Sequence, residues 1–187
     1  MKRSEINAAI EKATRCFSEH HWNLPPNPKW DVTDFGLGDF KSAGLVLINL
    51  CEEDEYCEKL MYAEKDQVTP AHTHKIKKED IICRNGELIV QVWAGQPGEW
   101  NSSFKMKVNG EYTSITSGDE IKLSRGERIT LVPGVYHKFF PTSDECIIGE
   151  VSTANDDLND NFFSDPEIGR FSSIIEDEDP IVKLVNE

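Results

Sequence analysis

The sequence predicts a mainly β fold: one antiparallel jelly-roll barrel with an N-terminal helix and peripheral helices or loops. Three observations predict it. From Ala43 onward, short runs of alternating apolar residues are punctuated by Gly, Asn and acidic turns, as in closed antiparallel architectures. Helical spacing of apolar residues is clear only near the N-terminus, in Ile6, Ile10, Ala13 and Phe17. Third, His72 and His74 sit one residue apart, a spacing that puts both imidazoles on one face of a strand. A length of 187 residues suits one domain. Its expected parts are the helix and proline arm (1–42), the barrel core (43–152) and a C-terminal loop and strand extension (153–187).

In order, Ser4 to about Glu19 is expected to be helical, with Ser4 as its cap. Leu24-Pro25-Pro26-Asn27-Pro28 stiffens the arm that follows. Trp30 to Gly36 is expected to be a loop covering one barrel mouth. Leu45–Cys51 and Tyr56–Glu64 are strands, and Cys57, Lys59, Met61 and Ala63 share a face of the second. A lysine on that face either snorkels to water from an edge or enters a cavity as a hydrogen-bond donor. Arg84-Asn85-Gly86 is expected to turn a hairpin between Ile81–Cys83 and Glu87–Trp93. Asn109-Gly110 is a second hairpin signal after Phe104–Val108. Glu120–Leu123, Arg128–Val132, His137–Phe140 and Cys146–Ser152 complete the barrel. Asn155 to Asn161 is an acidic cluster without calcium-loop order, read as a solvated turn or a loop reading hydroxyls. Ile181–Val185 is expected to be a last strand on a sheet edge.

The chemistry-bearing residues gather in two places. His72 and His74 are followed by Glu79, and His137 lies in Pro133-Gly134-Val135-Tyr136-His137. Three imidazoles and a carboxylate suit a first-row divalent metal and leave two octahedral positions for a ligand. Glu79 has the wrong parity for a continuous strand after His74, so a loop or bulge at 75–78 is expected. Glu150 interrupts the apolar run Cys146–Ser152 on the face of Ile148. Buried carboxylates are rare without a partner or a task, so it is either an edge residue or a cavity base.

These residues resemble the cupin superfamily. His72, His74, Glu79 and Gly86 match its first motif, except that Asp66 stands where the leading glycine belongs; Gly126, Pro133, Gly134 and His137 match its second loosely. The resemblance implies a barrel with the metal inside. A narrower likeness runs nearly the whole length. Leu24-Pro25-Pro26 with Trp30, Glu58-Lys59-Leu60, Thr69 to His74, Lys77 to Arg84, Gly149 to Ser152 and Asn155-Asp156-Asp157 are similar to the cupin D-lyxose ketol-isomerases. One departure is Asn27, where an aromatic residue is expected over the pocket.

That resemblance implies a Mn²⁺-dependent homodimer interconverting D-lyxose and D-xylulose, and also D-mannose and D-fructose, by proton transfer through a cis-enediol. Co, Zn, Fe and Ni are the other candidate metals. It implies metal ligation by His72, His74, Glu79 and His137, catalysis by Glu150 with Lys59 and Lys77, and sugar contacts from Asp160, Arg170 and Trp30. The rival readings are a phosphosugar isomerase, an Fe(II) oxygenase and a sugar-binding module. A net charge of −14 argues against nucleic acid. No apolar run is long enough for a bilayer. Five cysteines without C-x-x-C pairs look like reduced residues, and with an N-terminus lacking a signal-peptide core the expected location is the cytoplasm.

Overall fold

The computed structural model describes residues 1–187 except 101, 154, 155, 157, 158 and 170–172. The helix α1 (Arg3–Glu19) buries Ile6, Ile10, Ala13 and Phe17, the predicted stripe. Its start is tied differently from expectation. Lys2 occupies the N-cap, and its N–H donates to Glu5 at 2.9 Å. Ser4 instead donates its hydroxyl to Asp177 at 2.7 Å, joining the helix to the C-terminal segment.

Thirteen strands follow among the described residues: β1 (Lys29–Thr33), β2 (Leu45–Glu52), β3 (Tyr56–Glu64), β4 (Thr69–Thr73), β5 (Glu79–Asn85), β6 (Glu87–Trp93), β7 (Ser103–Val108), β8 (Glu111–Thr116), β9 (Glu120–Ser124), β10 (Arg128–Leu131), β11 (Tyr136–Pro141), β12 (Glu145–Thr153) and β13 (Phe162–Phe163). They form an eight-stranded sheet, ordered β1-β2-β3-β12-β5-β10-β7-β8, facing a five-stranded sheet, β13-β4-β11-β6-β9. All named pairings are antiparallel. This is the cupin-like barrel the sequence predicts.

Alternation sorts each strand between two cores. Residues such as Leu47, Met61, Ile81, Val90, Phe139 and Ile148 fill the space between the sheets. Their neighbours Val46, Ile48, Leu60, Tyr62 and Ile147 face outward and pack under α1. The eight-stranded sheet thus contributes apolar residues to both cores, which is why stretches such as Leu60–Ala63 and Cys146–Ile148 are apolar on both faces.

Several local expectations are corrected. Arg84-Asn85-Gly86 is no hairpin: β5 and β6 belong to different sheets, and the chain switches sheets at Gly86. Gly86 has φ +87°, and a Cβ there would lie 2.4 Å from Ser143 Oγ and 2.6 Å from the Glu145 carbonyl oxygen. Only glycine passes there. The loop expected at 75–78 is present, and it carries the chain from one sheet to the other before Glu79 opens β5. Residues 29–33 form the edge strand β1 rather than a loop. Ile181–Val185 forms no strand; a single parallel bridge joins Leu184 to Trp30. The Asn109-Gly110 hairpin between β7 and β8 is present, both residues with positive φ.

Candidate metal centre

Four buried side chains meet between the sheets. His72 comes from β4, His74 from the residue just after it, His137 from β11, and Glu79 opens β5 on the opposite sheet. One ligand atom from each lies within 4.8 Å of all the others. Cross-strand pairing of His137 with His72 explains part of this, with ring centroids 4.2 Å apart.

The rings are held in one tautomer. Nδ1–H of His72 donates to the Pro70 carbonyl at 2.8 Å, that of His74 to the Asp160 carbonyl, and that of His137 to the Val135 carbonyl at 3.4 Å. Each Nε2 is left as the lone-pair nitrogen, the usual arrangement of metal-ligating histidines. Nε2 of His74 and of His137, and Oε1 of Glu79, are buried without hydrogen-bond partners. The two nitrogens lie 3.5 and 3.0 Å from that oxygen. Buried polar atoms left unsatisfied are costly, and a cation bound among them would satisfy all three.

Protonation favours the same use. Burial, together with His137 and His74, pushes the His72 imidazole well below its ordinary pKa, so it stays neutral. Burial alone would raise the Glu79 carboxyl. Lys77 and the imidazoles of His137 and His74 outweigh it and hold Glu79 well below the usual carboxylate range. Neutral imidazoles and an ionised carboxylate are the forms that bind metals. The residues present therefore fit a divalent cation.

Beside the ligands sits a second charged group. Lys77 Nζ is 2.8 Å from Glu79 Oε2 and 3.0 Å from Glu150 Oε1. Lys59 Nζ lies 3.5 Å from the same Glu150 oxygen, across the β3–β12 pair. Glu150 is on a central strand, not an edge, and is 6 % exposed. Lys59 enters the cavity rather than snorkelling outward, being 4 % exposed. A cavity of about 60 Å³ joins these groups and is also lined by Asp31, Thr33, Phe35, Thr69, Asn161 and Phe163.

A family model described as D-lyxose isomerase matches residues 27–187. The chain belongs to the D-lyxose isomerase family. A D-lyxose/D-mannose isomerase of Escherichia coli O157:H7 is 36 % identical, with 100 % of this chain and 98 % of that one covered. A D-lyxose ketol-isomerase of Cohnella laeviribosi is 31 % identical over 93 % of this chain and 98 % of its own. Among solved structures, L-ribose isomerase of Cellulomonas parahominis with L-ribose superposes with TM-score 0.72 at 14 % identity, covering 94 % of this chain and 98 % of that one. At that identity the likeness is one of fold.

In this member of the D-lyxose isomerase family, two of the three expected sugar contacts, Trp30 and Asp160, are placed outside the cavity lining. Trp30 does not line the cavity; it is 2 % exposed and stacks on Phe17 of α1 at 6.5 Å. Strand parity decides this, because β1 sends Trp30 and Val32 to the helix side and Asp31 and Thr33 to the cavity. The Asp160 carboxylate is also absent from the lining and binds backbone N–H groups of residues 75–77. Arg170 lies outside the described residues, as do Asn155 and Asp157 of the acidic cluster. Sequence reasoning missed Asp31 and Thr33 as lining residues. Their signal was present, an alternating Trp-Asp-Val-Thr, but it was masked by the prolines before it and the Asp-Phe-Gly after it.

Proposed function

We propose that the protein is an aldose–ketose isomerase interconverting D-lyxose and D-xylulose, with D-mannose and D-fructose as a second pair. One observation carries the reading: in a chain of this family, the buried three-histidine, one-carboxylate set shares its cavity with a carboxylate gripped by two ammonium groups. His72, His74, Glu79 and His137 would hold the cation, Mn²⁺ in our reading, given the mixed nitrogen and oxygen donors. When bound, such a cation supplies Lewis-acid polarisation of the sugar's C1 and C2 oxygens.

The remaining work belongs to this chain's own side chains. Glu150 takes the proton from C2 of the open-chain aldose and returns it to C1, while the hydroxyl proton passes from O2 to O1. Lys77 and Lys59, both within 3.5 Å of Glu150 Oε1, keep that carboxylate in place. They also present N–H donors where negative charge develops on oxygen. The apolar wall of Phe35, Leu45, Leu47, Phe139 and Phe163 excludes water from the reacting carbons. A phosphosugar is disfavoured: the described lining residues include two cations, Lys59 and Lys77, and both are committed to Glu150.

Two coarser features complete the proposal. The four buried and one half-buried cysteines are all unpaired, which suits a reducing cytoplasm. The family resemblance points to a homodimer. No helix among the described residues is long and apolar enough to cross a membrane.

The test is incubation of the Mn²⁺-loaded protein with D-lyxose, D-mannose and an aldose phosphate, reading ketose formed. Ketose from the free sugars supports the reading, and turnover of the phosphate alone rejects it. Glu150→Gln should still bind sugar but lose exchange of the C2 proton with solvent by about 10²–10⁴-fold. Exchange at the wild-type rate in that variant removes Glu150 from its role.

A further inference from the structure

The loop at 74–78 bridges two candidate ligands, His74 and Glu79, yet it has no apolar anchor of its own. Ile76, its one large apolar side chain, is 80 % exposed. It also lies between the sheets' edges, outside any ladder. Its ends are tied by Gly134 N–H to the His74 carbonyl at 2.7 Å and by Thr153 N–H to the Lys78 carbonyl at 2.9 Å, and one side chain holds its middle. The Asp160 carboxylate, from the segment that returns to the barrel after β12, accepts three consecutive backbone N–H bonds. Lys75 donates at 2.7 Å, Ile76 at 3.1 Å and Lys77 at 2.7 Å. Asp160 is only 5 % exposed, and its own carbonyl accepts Nδ1–H of His74. One residue therefore fixes a ligand ring and the backbone of the lysine beside it.

We propose that Asp160 is a positioning residue of the metal centre, setting the aim of His74 Nε2 and Lys77 Nζ into the cavity. The inference rests on the divalent-cation reading above. The convergence of successive N–H groups on one anion is an energetically strong arrangement, since each bond is charge-assisted. Burial raises the Asp160 carboxyl, but the N–H groups of Lys77, Lys75 and Ile76 outweigh it and keep the group ionised. Removal of the carboxylate leaves buried N–H groups at Lys77 seeking other partners, and the loop must move to find them. His74 and Lys77 then move with it. Side chains that orient ligands in this way are typically worth about 10–100-fold in metal affinity. Asp160 does this without touching substrate or metal, which separates it from the sugar contact that its place in an acidic, Asn-rich turn suggested.

The deciding measurement is the Mn²⁺ dissociation constant, read from the free-ion electron paramagnetic resonance signal, for wild type, Asp160→Asn and Asp160→Ala. Each variant's metal-free melting curve is recorded alongside. Asn keeps one acceptor oxygen, so we expect Kd about tenfold weaker in Asp160→Asn and weaker still in Asp160→Ala. A Kd within twofold of wild type in folded variants overturns the proposal, even if the melting temperature falls, since lost stability alone is what a merely structural role predicts. Wild-type hydrogen exchange supplies a second arm that needs no variant. By reciprocity of coupled sites, Mn²⁺ should slow amide exchange in the 75–77 peptide, though those amides touch no ligand atom. Unchanged exchange there overturns the proposal. Wild type that binds no divalent cation rejects the metal reading itself and the proposal with it.

Discussion

Lys77→Met is the perturbation that most sharply tests the charged wall of the cavity. The ammonium is 5 % exposed and stands 2.8 Å from Glu79 Oε2 and 3.0 Å from Glu150 Oε1. Methionine keeps the length and the apolar stem but removes the charge. Two buried carboxylates that shared one cation then face each other with only Lys59 beside Glu150. Taking one partner from a buried ion pair typically costs about 3–5 kcal/mol. For a chain of 187 residues, about 2–4 °C per kcal/mol converts this to a fall in Tm of roughly 6–20 °C in metal-free protein. The fall should shrink in excess Mn²⁺, because a cation bound at Glu79 supplies part of the missing positive charge and binding stabilises the folded state. Turnover of the metal-loaded variant should drop by about 10²-fold, the usual cost of one donor at a developing oxyanion. The assay is a pair of calorimetric scans, with and without metal. A metal-free variant melting within about 2 °C of wild type would refute the claim that this ammonium holds the two carboxylates together.

Three further outcomes follow from the geometry. Trp30→Ala should destabilise by about 3–5 kcal/mol with KM for sugar unchanged, whereas Asp31→Ala should raise KM more than tenfold with a smaller loss of Tm; the reverse pattern in melting and kinetics would refute the parity of β1. Asp66 holds φ +64°, the left-handed region that favours glycine, so Asp66→Gly should raise Tm by about 1–2 °C, and a fall would assign the side chain a role. Arg3, 1 % exposed, donates to Glu176 at 2.7 Å and to Glu187, and these bonds hold both carboxyls below their ordinary pKa. Their stabilisation is present above about pH 4.3 and lost as the pH falls through the depressed folded values, so the C-terminal segment should become protease-sensitive there, and Arg3→Met should abolish the pH step.

The legible parts of the sequence were those where local pattern and global fold agree. Strands β3 and β6 fall on the predicted residues because each is an apolar run bounded by turn residues, Glu53 to Glu55 before β3 and Gly86 before β6. The candidate metal set was legible because histidine is rare here and two sit at strand spacing. Glu150 and Lys59 stood out as charges inside apolar runs, and both prove to be buried in the cavity. What stayed hidden was non-local. At Gly86 a sheet switch and a hairpin have the same local signature, a glycine between two strands, and only the partners of β5 and β6 tell them apart. Asp160 could serve a sugar or a backbone with equal local plausibility; the loop it binds lies 83–85 residues earlier in the chain.

The two sheets also divide the site's charge in a way that bears on the reaction. The five-stranded sheet and its margin supply the three imidazoles. The eight-stranded sheet supplies Glu79, Lys59 and Glu150, and the loop leading into it supplies Lys77. Glu79 and Glu150 face the two ammoniums, which offsets most of the cost of burying charge on this wall, and Asp31 of β1 adds a third carboxyl group to it. A divalent cation would then leave the centre positive. A neutral sugar gains little from that field in its ground state. In the proposed reaction, a sugar losing a proton to Glu150 would develop negative charge on oxygen beside the centre and gain a great deal. On that proposal the arrangement favours the species between aldose and ketose over either sugar, which is the condition for speeding the chemical step rather than merely binding substrate.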